Sequence, residues 1–356
     1  MNEYIQQMID WIEGRLKDVF SLEDLANYMG YSPYYCSFRF HQATGISIRR
    51  YILLRRLYVS TEDLVKNRKI IDIAFDYGYS SQEAYSRAFK TVFGISPREF
   101  QLNQKPVQSF PKLMFYERRG GVTMNREAEV IQLKNQKSEL FDQDVLNILN
   151  GQMMYDEFYS KKLMGESDYA PFNEAMCVHA TTTPIFDNNF IEVRAKGHGV
   201  TVENYNNKVI KPLSNLFEKD YTYIVLWFGE DMFCQMNLLT LLAYLEQSDY
   251  KGRVFLNSFR EDEFKVNQTE ITLGDYCSVY EEVLVNHTKP IHELFPLMYQ
   301  AIEIFLGMQT ENNPVTAYIL KNKQLPQSQL LTQLFKLFPT VGYGDTQYIE
   351  LINKIK

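Results

Sequence analysis

Five polar side chains recur at helical spacing along one segment, and their types suit hydrogen bonding to nucleic-acid bases and phosphates. In a DNA major groove an arginine pairs well with guanine and a glutamine with adenine, each contact being worth about 1 to 3 kcal/mol of discrimination. The sequence therefore predicts that Gln82 and Arg87 reach base edges and that Ser86 and Lys90 touch phosphate. Glu83 lies on the same polar face.

Two short helices are needed to present these residues. The apolar positions of the second helix fall on the opposite side from the polar set, at Ala84, Tyr85, Ala88, Phe89 and Val92. Ser80 and Ser81 can cap this helix, and Gly78 breaks the pattern before it. An earlier helix is indicated by apolar residues at i, i+3, i+4 and i+7, beginning at Ile70. The segment Ile70–Phe93 is thus predicted to be a helix-turn-helix whose second helix can enter a major groove.

The same pattern occurs once before, displaced by 48 to 49 residues, in SLEDLANYMGYSPYYCSFRFHQATGIS. This repeat predicts a first helix-turn-helix over Ser21–Ala43, with Ser21 as a helix cap. Its recognition helix has four outward positions, which are predicted to contact DNA: Tyr34, Ser37, Phe38 and His41. A pair of such units in one chain favours double-stranded DNA as the partner.

The stretch GYSSQEAYSRAFKTVFGISPREF resembles the second-unit signature of the AraC-type transcription regulators, and the resemblance covers residues 4–103. It implies an all-α, homeodomain-like domain with two helix-turn-helix units joined by one long helix. One position departs from the family, because Phe38 stands where a basic residue is common and where the second unit has Arg87. Phe38 either contacts a thymine methyl group or packs against its neighbours.

The connecting helix is predicted over Ser47–Lys66, and Asn2–Val19 forms a further amphipathic helix that packs against the first unit. A stiff connector of this size suits two recognition helices that must stand about 34 Å apart on B-DNA. Four arginines lie along it, and they are predicted to meet either phosphate or an acidic neighbouring domain: Arg49, Arg50, Arg55 and Arg56.

Net charge separates the predicted DNA-binding region from the rest of the 356-residue chain. The whole chain carries a net charge of -7, yet residues 1–105 hold 14 Lys and Arg against 12 Asp and Glu. The remainder holds 23 against 32, so the acidic excess lies outside the predicted DNA-binding domain. Four scattered cysteines and the lack of a long apolar run predict a cytoplasmic protein with reduced thiols, outside any membrane.

Beyond residue 105 we predict a linker at 106–125, an α/β domain at 126–288 and a helical subdomain at 289–356. A charged helix is expected over Glu127–Asn150. Strands are predicted at Ala175–His179, Tyr221–Phe228 and Arg253–Asn257, with a strong helix over Met232–Glu246. This alternation favours a largely parallel sheet. The motifs FNEAMC and LWFGEDMFCQMNLLTLLAYLEQ resemble an uncharacterised bacterial α/β domain that is often followed by a small helical companion.

Candidate effector-binding residues lie where predicted strands lead into helices or loops. They are Glu174, His179, Arg194, Trp227, Glu230, Asp231, Gln235 and Asn237. Two adjacent acids at a helix start would repel a phosphate, so a cationic or polyol-like ligand is favoured. Taken alone, Asp231 is better explained as a plain helix cap with a favourable acid–dipole interaction. The Cys177-x-His179 pair lacks a second pair of ligands, so no metal is predicted, and no catalytic motif or cofactor is predicted either.

These observations predict a DNA-binding transcription regulator controlled by a small-molecule effector in the α/β domain, with RNA polymerase as a further partner. Two alternatives stay open. The C-terminal part could be an enzyme that uses Glu230 or Asp231 as an acid or base, or it could be a protein-interaction module with aromatic anchors. Both a monomer and a homodimer are compatible with two DNA-reading units in one chain.

Overall fold

The computed structural model of the protein describes residues 2–114, 130–131, 133–134, 138–260 and 265–355. The chain divides into two compact units, Met1–Thr123 and Met124–Lys356. Most of the predicted linker at 106–125 and the start of the predicted helix Glu127–Asn150 lie outside the described residues. Within the described ranges, no helix combines the length and the apolarity needed to cross a bilayer.

The described part of the first unit is all-helical, as the sequence predicts. Its helices are α1 (Asn2–Glu13), α2 (Leu22–Met29), α3 (Pro33–Thr44), α4 (Ile48–Val65), α5 (Ile70–Asp76), α6 (Gln82–Phe93) and α7 (Pro97–Asn103). The pairs α2–α3 and α5–α6 are the two helix-turn-helix units. The connector α4 has 18 residues, which gives about 27 Å at ~1.5 Å per residue.

Local signals set these helix boundaries. The hydroxyl oxygen of a serine accepts a hydrogen bond from the third helical N–H at each of five helix starts: Ser21, Ser32, Ser47, Ser81 and Ser96. Three of these helices end on a left-handed glycine, with φ of 73° at Gly30, 75° at Gly45 and 78° at Gly94. A residue with a Cβ is strained at such an angle, so glycine is favoured there.

Each helix-turn-helix has its own hydrophobic core. The first core is formed by α1, α2, α3 and the start of α4, and it includes Ile5, Met8 and Phe40. The second core gathers the later part of α4 with α5, α6 and α7, and it includes Leu64 and Phe89. Helix α1 therefore packs on the first unit, as predicted, and α4 belongs to both cores.

Two of the connector arginines do not have the predicted exposed roles. Arg55 forms a bidentate ion pair with Glu13 on α1, with an Nη2 to Oε2 distance of 2.8 Å, and both side chains are almost fully buried. Arg56 donates to the backbone oxygens of Leu16 at 2.7 Å and Asp18 at 2.5 Å. These contacts fasten α4 to α1 and to the turn that follows it. Exposed arginines on α4 therefore remain at its amino end, at Arg49 and Arg50.

The second unit is an α/β structure around a five-stranded sheet. The strands β1 (Val145–Leu149), β2 (Asp168–Pro171), β3 (Tyr223–Trp227), β4 (Arg253–Arg260) and β5 (Lys265–Ile271) lie in the order β2-β1-β3-β4-β5. The first four are parallel, and β5 pairs antiparallel with β4. The order changes direction between β1 and β3, which is the switch point where ligands bind in open α/β sheets.

The helices of this unit occupy both faces of the sheet and continue to the end of the described chain. They are α8 (Gln152–Ser160), α9 (Asn188–Gly197), α10 (Val202–Tyr205), α11 (Ser214–Glu218), α12 (Met232–Gln247), α13 (Tyr276–Tyr280), α14 (Pro296–Met308), α15 (Pro314–Lys321), α16 (Gln327–Leu337) and α17 (Asp345–Ile355). Helices α14 to α17 share one hydrophobic core with α12 and with one face of the sheet. The other face forms a separate core around Phe158, Trp227 and Phe255.

Two predictions about this unit are wrong in detail, and two strands, β2 and β5, are not predicted. Residues 145–149, predicted to be the end of a helix, form the fully buried strand β1, which pairs with β2 and β3 on its two sides. Residues 175–179 are a turn, since His179 has φ 64° and cannot continue a strand. Strand β5 is not anticipated at all, because its run of polar residues lacks the apolar pattern of a buried strand.

Candidate functional site

Helix α6 presents the predicted polar set on its outer face. Gln82, Glu83, Arg87 and Lys90 are exposed and Ser86 is half-buried, while Tyr85 and Phe89 on the opposite side are fully buried. The Ser81 hydroxyl holds the pKa of Glu83 below its ordinary value. This helix therefore offers one guanidinium, one ammonium and one amide to a partner in front of it.

Helix α3 differs from α6 because its outer face is aromatic. Tyr34 is 78% exposed and Phe38 is 48% exposed, and their rings stack with centroids 6.4 Å apart. His41 is also exposed, and Ser37 is half-buried. The nearby Arg39 guanidinium bonds to Gln42 at 2.8 Å. The two recognition helices thus carry different chemistry, one apolar and one polar and basic.

In the second unit most of the candidate residues gather at the carboxyl edge of the sheet, around a buried carboxylate. Arg194 Nη2 on α9 lies 2.7 Å from Glu174 Oε1, and both side chains are completely buried. The hydroxyl of Tyr205 also donates to Glu174. Burial would raise the pKa of Glu174, but the Arg194 charge and the hydrogen bonds from His198 and Arg194 hold it far below its ordinary value.

Arg194 also explains why residues 175–180 form a turn. Its guanidinium donates to the backbone oxygens of Val178 at 2.7 Å, Ala175 at 3.0 Å, and His179 and Ala180 at 3.2 Å each. One buried cation therefore satisfies four carbonyl oxygens that strand pairing would otherwise occupy.

Two histidines border this cluster. His198 Nε2 is 2.7 Å from Glu174 Oε1, and its ring meets His179 edge-on at a centroid distance of 4.9 Å. Burial lowers the pKa of His179, and the neighbouring His198 and Arg194 lower it further. His179 Nε2 also lies 3.9 Å from Glu350 Oε2 on α17.

A second set of polar residues connects the cluster to the switch point. Asn237 on α12 donates to the Glu174 backbone oxygen at 2.7 Å and to Asn150 Oδ1 at 3.1 Å, and it accepts from Met176 N at 2.9 Å. Asn150 directly follows β1. Gln235 donates from Nε2 to Gly229 O at 2.7 Å, while its fully buried Oε1 has no hydrogen-bond partner among the residues that the structure describes.

The amino end of α12 is already occupied by the protein. Asp231 Oδ1 accepts from Cys234 N at 2.9 Å, so this residue is a helix cap. The next two N–H groups, of Met232 and Phe233, donate to Thr340 O at 2.9 Å and Val341 O at 3.2 Å. With these donors satisfied internally, this helix end is a poor site for an anion.

Trp227 does not belong with the other candidates. Its ring lies on the opposite face of the sheet, in the core with Phe158, and its Nε1 donates to Asn147 Oδ1 at 2.8 Å. Glu230 is buried at the junction after β3. The structure thus brings together Glu174, His179, Arg194, Asn237 and the α12 start, and it separates Trp227 from them.

Sequence reasoning missed two members of the cluster. No local sequence pattern marks Tyr205 or Asn150 as part of a site, because each lies in a stretch that looks like an ordinary helix or the end of an element. Burial raises the pKa of the Cys177 and Cys234 thiols, which keeps both in the neutral form. Among the described residues, no group of three or more His, Cys, Asp or Glu side chains is arranged to hold a metal ion.

Comparisons with known proteins identify the first unit. A family model described as a helix-turn-helix domain matches residues 25–103. The HTH-type transcriptional activator AarP of Providencia stuartii is 34% identical over 100 residues, which is 28% of this chain and 74% of that protein. The regulatory protein SoxS of Salmonella typhimurium is 33% identical over 100 residues, covering 94% of its length.

A solved transcriptional regulator from Chromobacterium violaceum, with an AraC-type DNA-binding domain, is 26% identical and covers 28% of this chain and 90% of its own, with a TM-score of 0.27. The matches cover 74% and 94% of the two curated relatives, and residues 25–103 of the family-model match include both recognition helices. The chain belongs to the AraC-type helix-turn-helix DNA-binding transcription regulators.

Proposed function

We propose that the regulator reads a specific DNA sequence with both recognition helices and that the second unit adjusts this binding in response to a small polar effector. The DNA-reading part rests on one observation: α6 holds Gln82, Arg87 and Lys90 exposed on a helix whose other face is anchored in a core. In this proposal Arg87 and Gln82 meet base edges, while Lys90 and Ser86 meet phosphate. Glu83 lies at the rim of the contact.

Two substitutions on α6 separate these roles. Arg87→Ala should flatten sequence preference, because a bidentate contact with guanine is worth about 1 to 3 kcal/mol. Lys90→Ala should weaken binding to all sequences and reduce the slope of log K against log salt by about 0.9. Selection from a random DNA library followed by anisotropy titrations at several salt concentrations measures both. Equal and sequence-independent losses would refute the assignment.

For the first recognition helix we propose apolar readout of thymine methyl groups by the exposed Tyr34–Phe38 pair. Of the two roles open to Phe38, its exposure favours contact with DNA, and its stacking on Tyr34 stiffens the pair. Ser37 and His41 flank it. Replacing single thymines of the selected site by deoxyuracil removes only the methyl group. A sensitive position should lose its sensitivity in Phe38→Ala, and a site without any sensitive thymine would contradict this reading.

The effector part of the proposal places the ligand at the carboxyl edge of the sheet, near the switch point between β1 and β3. Gln235 supports this location because its buried Oε1 is an acceptor that a ligand N–H or O–H could satisfy. Nearby acids and the internally satisfied start of α12 favour a polyol or a cation over a phosphate. The residues that border this location are Glu174, His179, Arg194, Glu230, Asp231 and Asn237. Trp227 is excluded because its ring lies on the opposite face of the sheet.

Native mass spectrometry of the full chain incubated with host extract tests for this effector. A reproducible mass increment that disappears on denaturation, and that falls in Gln235→Met, is expected. The compound identified would then be titrated into a DNA-binding assay, since an effector shifts the regulator only through its different affinity for two states. Absence of an increment under every growth condition would count against an effector site.

Several wider assignments belong to the same proposal. Residues 1–105 act as the DNA-binding domain, 106–125 as linker, 126–288 as sensor and 289–356 as its helical companion, in the cytoplasm. Two reading helices with separate cores allow a monomer to occupy successive groove faces, and a homodimer is compatible with this. Contact with RNA polymerase is expected because a relative is named a transcriptional activator. Bacterial two-hybrid assays with polymerase subunits test that contact.

A further inference from the structure

A cleft of about 200 Å³ lies within the first unit, between its two helix-turn-helix halves. Its walls come from the loop before α2, the amino half of α4 and the turn before α6: Phe20, Arg49, Ile52, Leu53, Arg56 and Tyr79. We propose that this cleft binds a small single-ring carboxylate. It would be a second ligand site, inside the DNA-binding unit and independent of the effector site proposed for the α/β unit.

The polar groups that line the cleft favour an anionic ligand. Arg49 is exposed, and no ion pair joins it to any described residue. The hydrogen bonds of Arg56 go to backbone carbonyl oxygens, and burial lowers the pKa of its guanidinium although Asp18 lies near it. A carboxylate facing Arg49 would form a charge-assisted, bidentate pair of the kind that arginine favours.

Tyr79 supplies a second, independent observation. Its hydroxyl is buried and has no hydrogen-bond partner within the described part of the chain. Burial raises the pKa of Tyr79 to about 12, so the group is a neutral donor at ordinary pH. An unsatisfied buried hydroxyl costs free energy, and a ligand acceptor in the cleft would recover it after a small movement of the Tyr79 ring brings the hydroxyl to the cleft wall.

The remaining walls select for an apolar body. Ile52 is almost fully buried, and Phe20 and Leu53 are partly buried around it. The cleft volume of about 200 Å³ falls below the ~300 Å³ at which drug-sized pockets begin. One ring with one carboxylate therefore fits better than a nucleotide or a fatty acid.

A DNA phosphate is the competing occupant, because Arg49 lies on the connector between two DNA-reading units. The apolar walls argue against it, since a phosphodiester brings only sugar and charged oxygens, which leave such walls unfilled. A ring carboxylate satisfies both the arginine and the walls.

Binding here would affect both halves of the unit at once. Phe20 precedes the first helix-turn-helix, Tyr79 belongs to the turn of the second, and Ile52 lies on the connector between them. A ligand that fits one relative position of the two halves better than another shifts the unit toward that position. It should therefore change affinity for a complete operator more than affinity for a single half-site.

Fluorine NMR of 4-fluorobenzoate titrated with the full chain tests the site, with 4-fluorobenzyl alcohol as the uncharged control ligand. For a ligand of this size a Kd on the order of 1 mM is expected. Arg49→Gln should weaken binding at least tenfold. Arg50→Gln is the matched control, because Arg50 is exposed beside Arg49 but does not line the cleft, and its Kd should stay within twofold. Tyr79→Phe should weaken binding several-fold.

Three results would overturn the inference: no binding of 4-fluorobenzoate at ten times the expected Kd, equal binding by Arg49→Gln and wild type, or equal binding of the alcohol. A DNA titration in parallel identifies the competing occupant. If Arg49→Gln lowers the salt slope of DNA binding by about 0.9 and Arg50→Gln does not, while benzoate fails to bind, the cleft receives a phosphate. None of these results bears on the roles of Arg87 and Lys90, which have their own test.

Discussion

Replacing the buried carboxylate of the second unit should destabilise that unit severely. In Glu174→Gln the amide keeps the shape of the side chain but removes the negative charge that faces Arg194, and both side chains are 0% exposed. Breaking a buried ion pair from one side costs about 3 to 5 kcal/mol, because the remaining charge is left without compensation. The hydrogen bonds from Tyr205 and His198 would also weaken.

The same pair predicts a pH dependence. The Arg194 charge and its hydrogen bonds hold the pKa of Glu174 well below the value of about 4.3 expected in the unfolded chain, despite burial. A carboxyl whose folded pKa is depressed stabilises the fold above its unfolded pKa and loses that contribution as the pH falls through the folded value. The gap in stability between wild type and Glu174→Gln should therefore be full at pH 7 and shrink as the pH falls below about 4.

Tryptophan fluorescence in a denaturant titration measures this loss. The chain has two tryptophans, one in each unit, so Trp11→Phe leaves the buried Trp227 as the reporter of the second unit. Glu192→Gln is the control, because it makes the same change of charge at an exposed position on the helix that carries Arg194. It should change the free energy of unfolding by less than about 0.5 kcal/mol.

The double variant Glu174→Gln/Arg194→Met completes the cycle. Its loss should be smaller than the sum of the two single losses, because the second substitution removes a charge that the first has left unpaired. A loss below about 1 kcal/mol in Glu174→Gln, or strict additivity in the double variant, would show that the pair is not the compensated ion pair described here.

Three further changes test packing and helix ends. Gly342→Ala should lower the free energy of unfolding of the second unit by more than about 1 kcal/mol, because Gly342 has φ 73° and a Cβ there would lie 1.9 Å from Asp231 Oδ1. Gly307→Ala is the control, because Gly307 lies on a helix with open space around it. This variant should be neutral or stabilising in the same denaturant assay. Ser81→Ala should lower the stability of the first unit by about 1 kcal/mol through loss of the α6 cap, measured by circular dichroism, and no loss would contradict the capping role. Arg55→Met should lower the stability of the first unit by about 3 to 5 kcal/mol, because it removes the cation that pairs with the buried Glu13 carboxylate on α1. An unchanged denaturation midpoint would contradict this prediction.

The predictions that hold depend on residues close together in the chain. Ser81 caps α6 through an N–H three residues away, and Gly94 ends that helix where it stands, so both boundaries can be read locally. The outward position of Arg87 and the inward position of Phe89 follow from the helical period alone. The helix boundaries of the repeat at Ser21–Ala43 follow from nearby residues in the same way. For these reasons the first unit, with its two recognition helices, could be predicted closely.

Tertiary structure decided whatever depended on distant partners. Arg55 and Arg49 look alike on the connector, yet only Arg55 meets Glu13, which is 42 residues away. Glu174 acquires its environment from Arg194 and Tyr205, 20 and 31 residues further on, and that contact turns residues 175–180 away from a strand. The sequence by itself determined which segments are helices that can read DNA, because caps and periodicity act within a few residues. The burial and pairing of each charge were decided only by packing, because they depend on which elements meet in space.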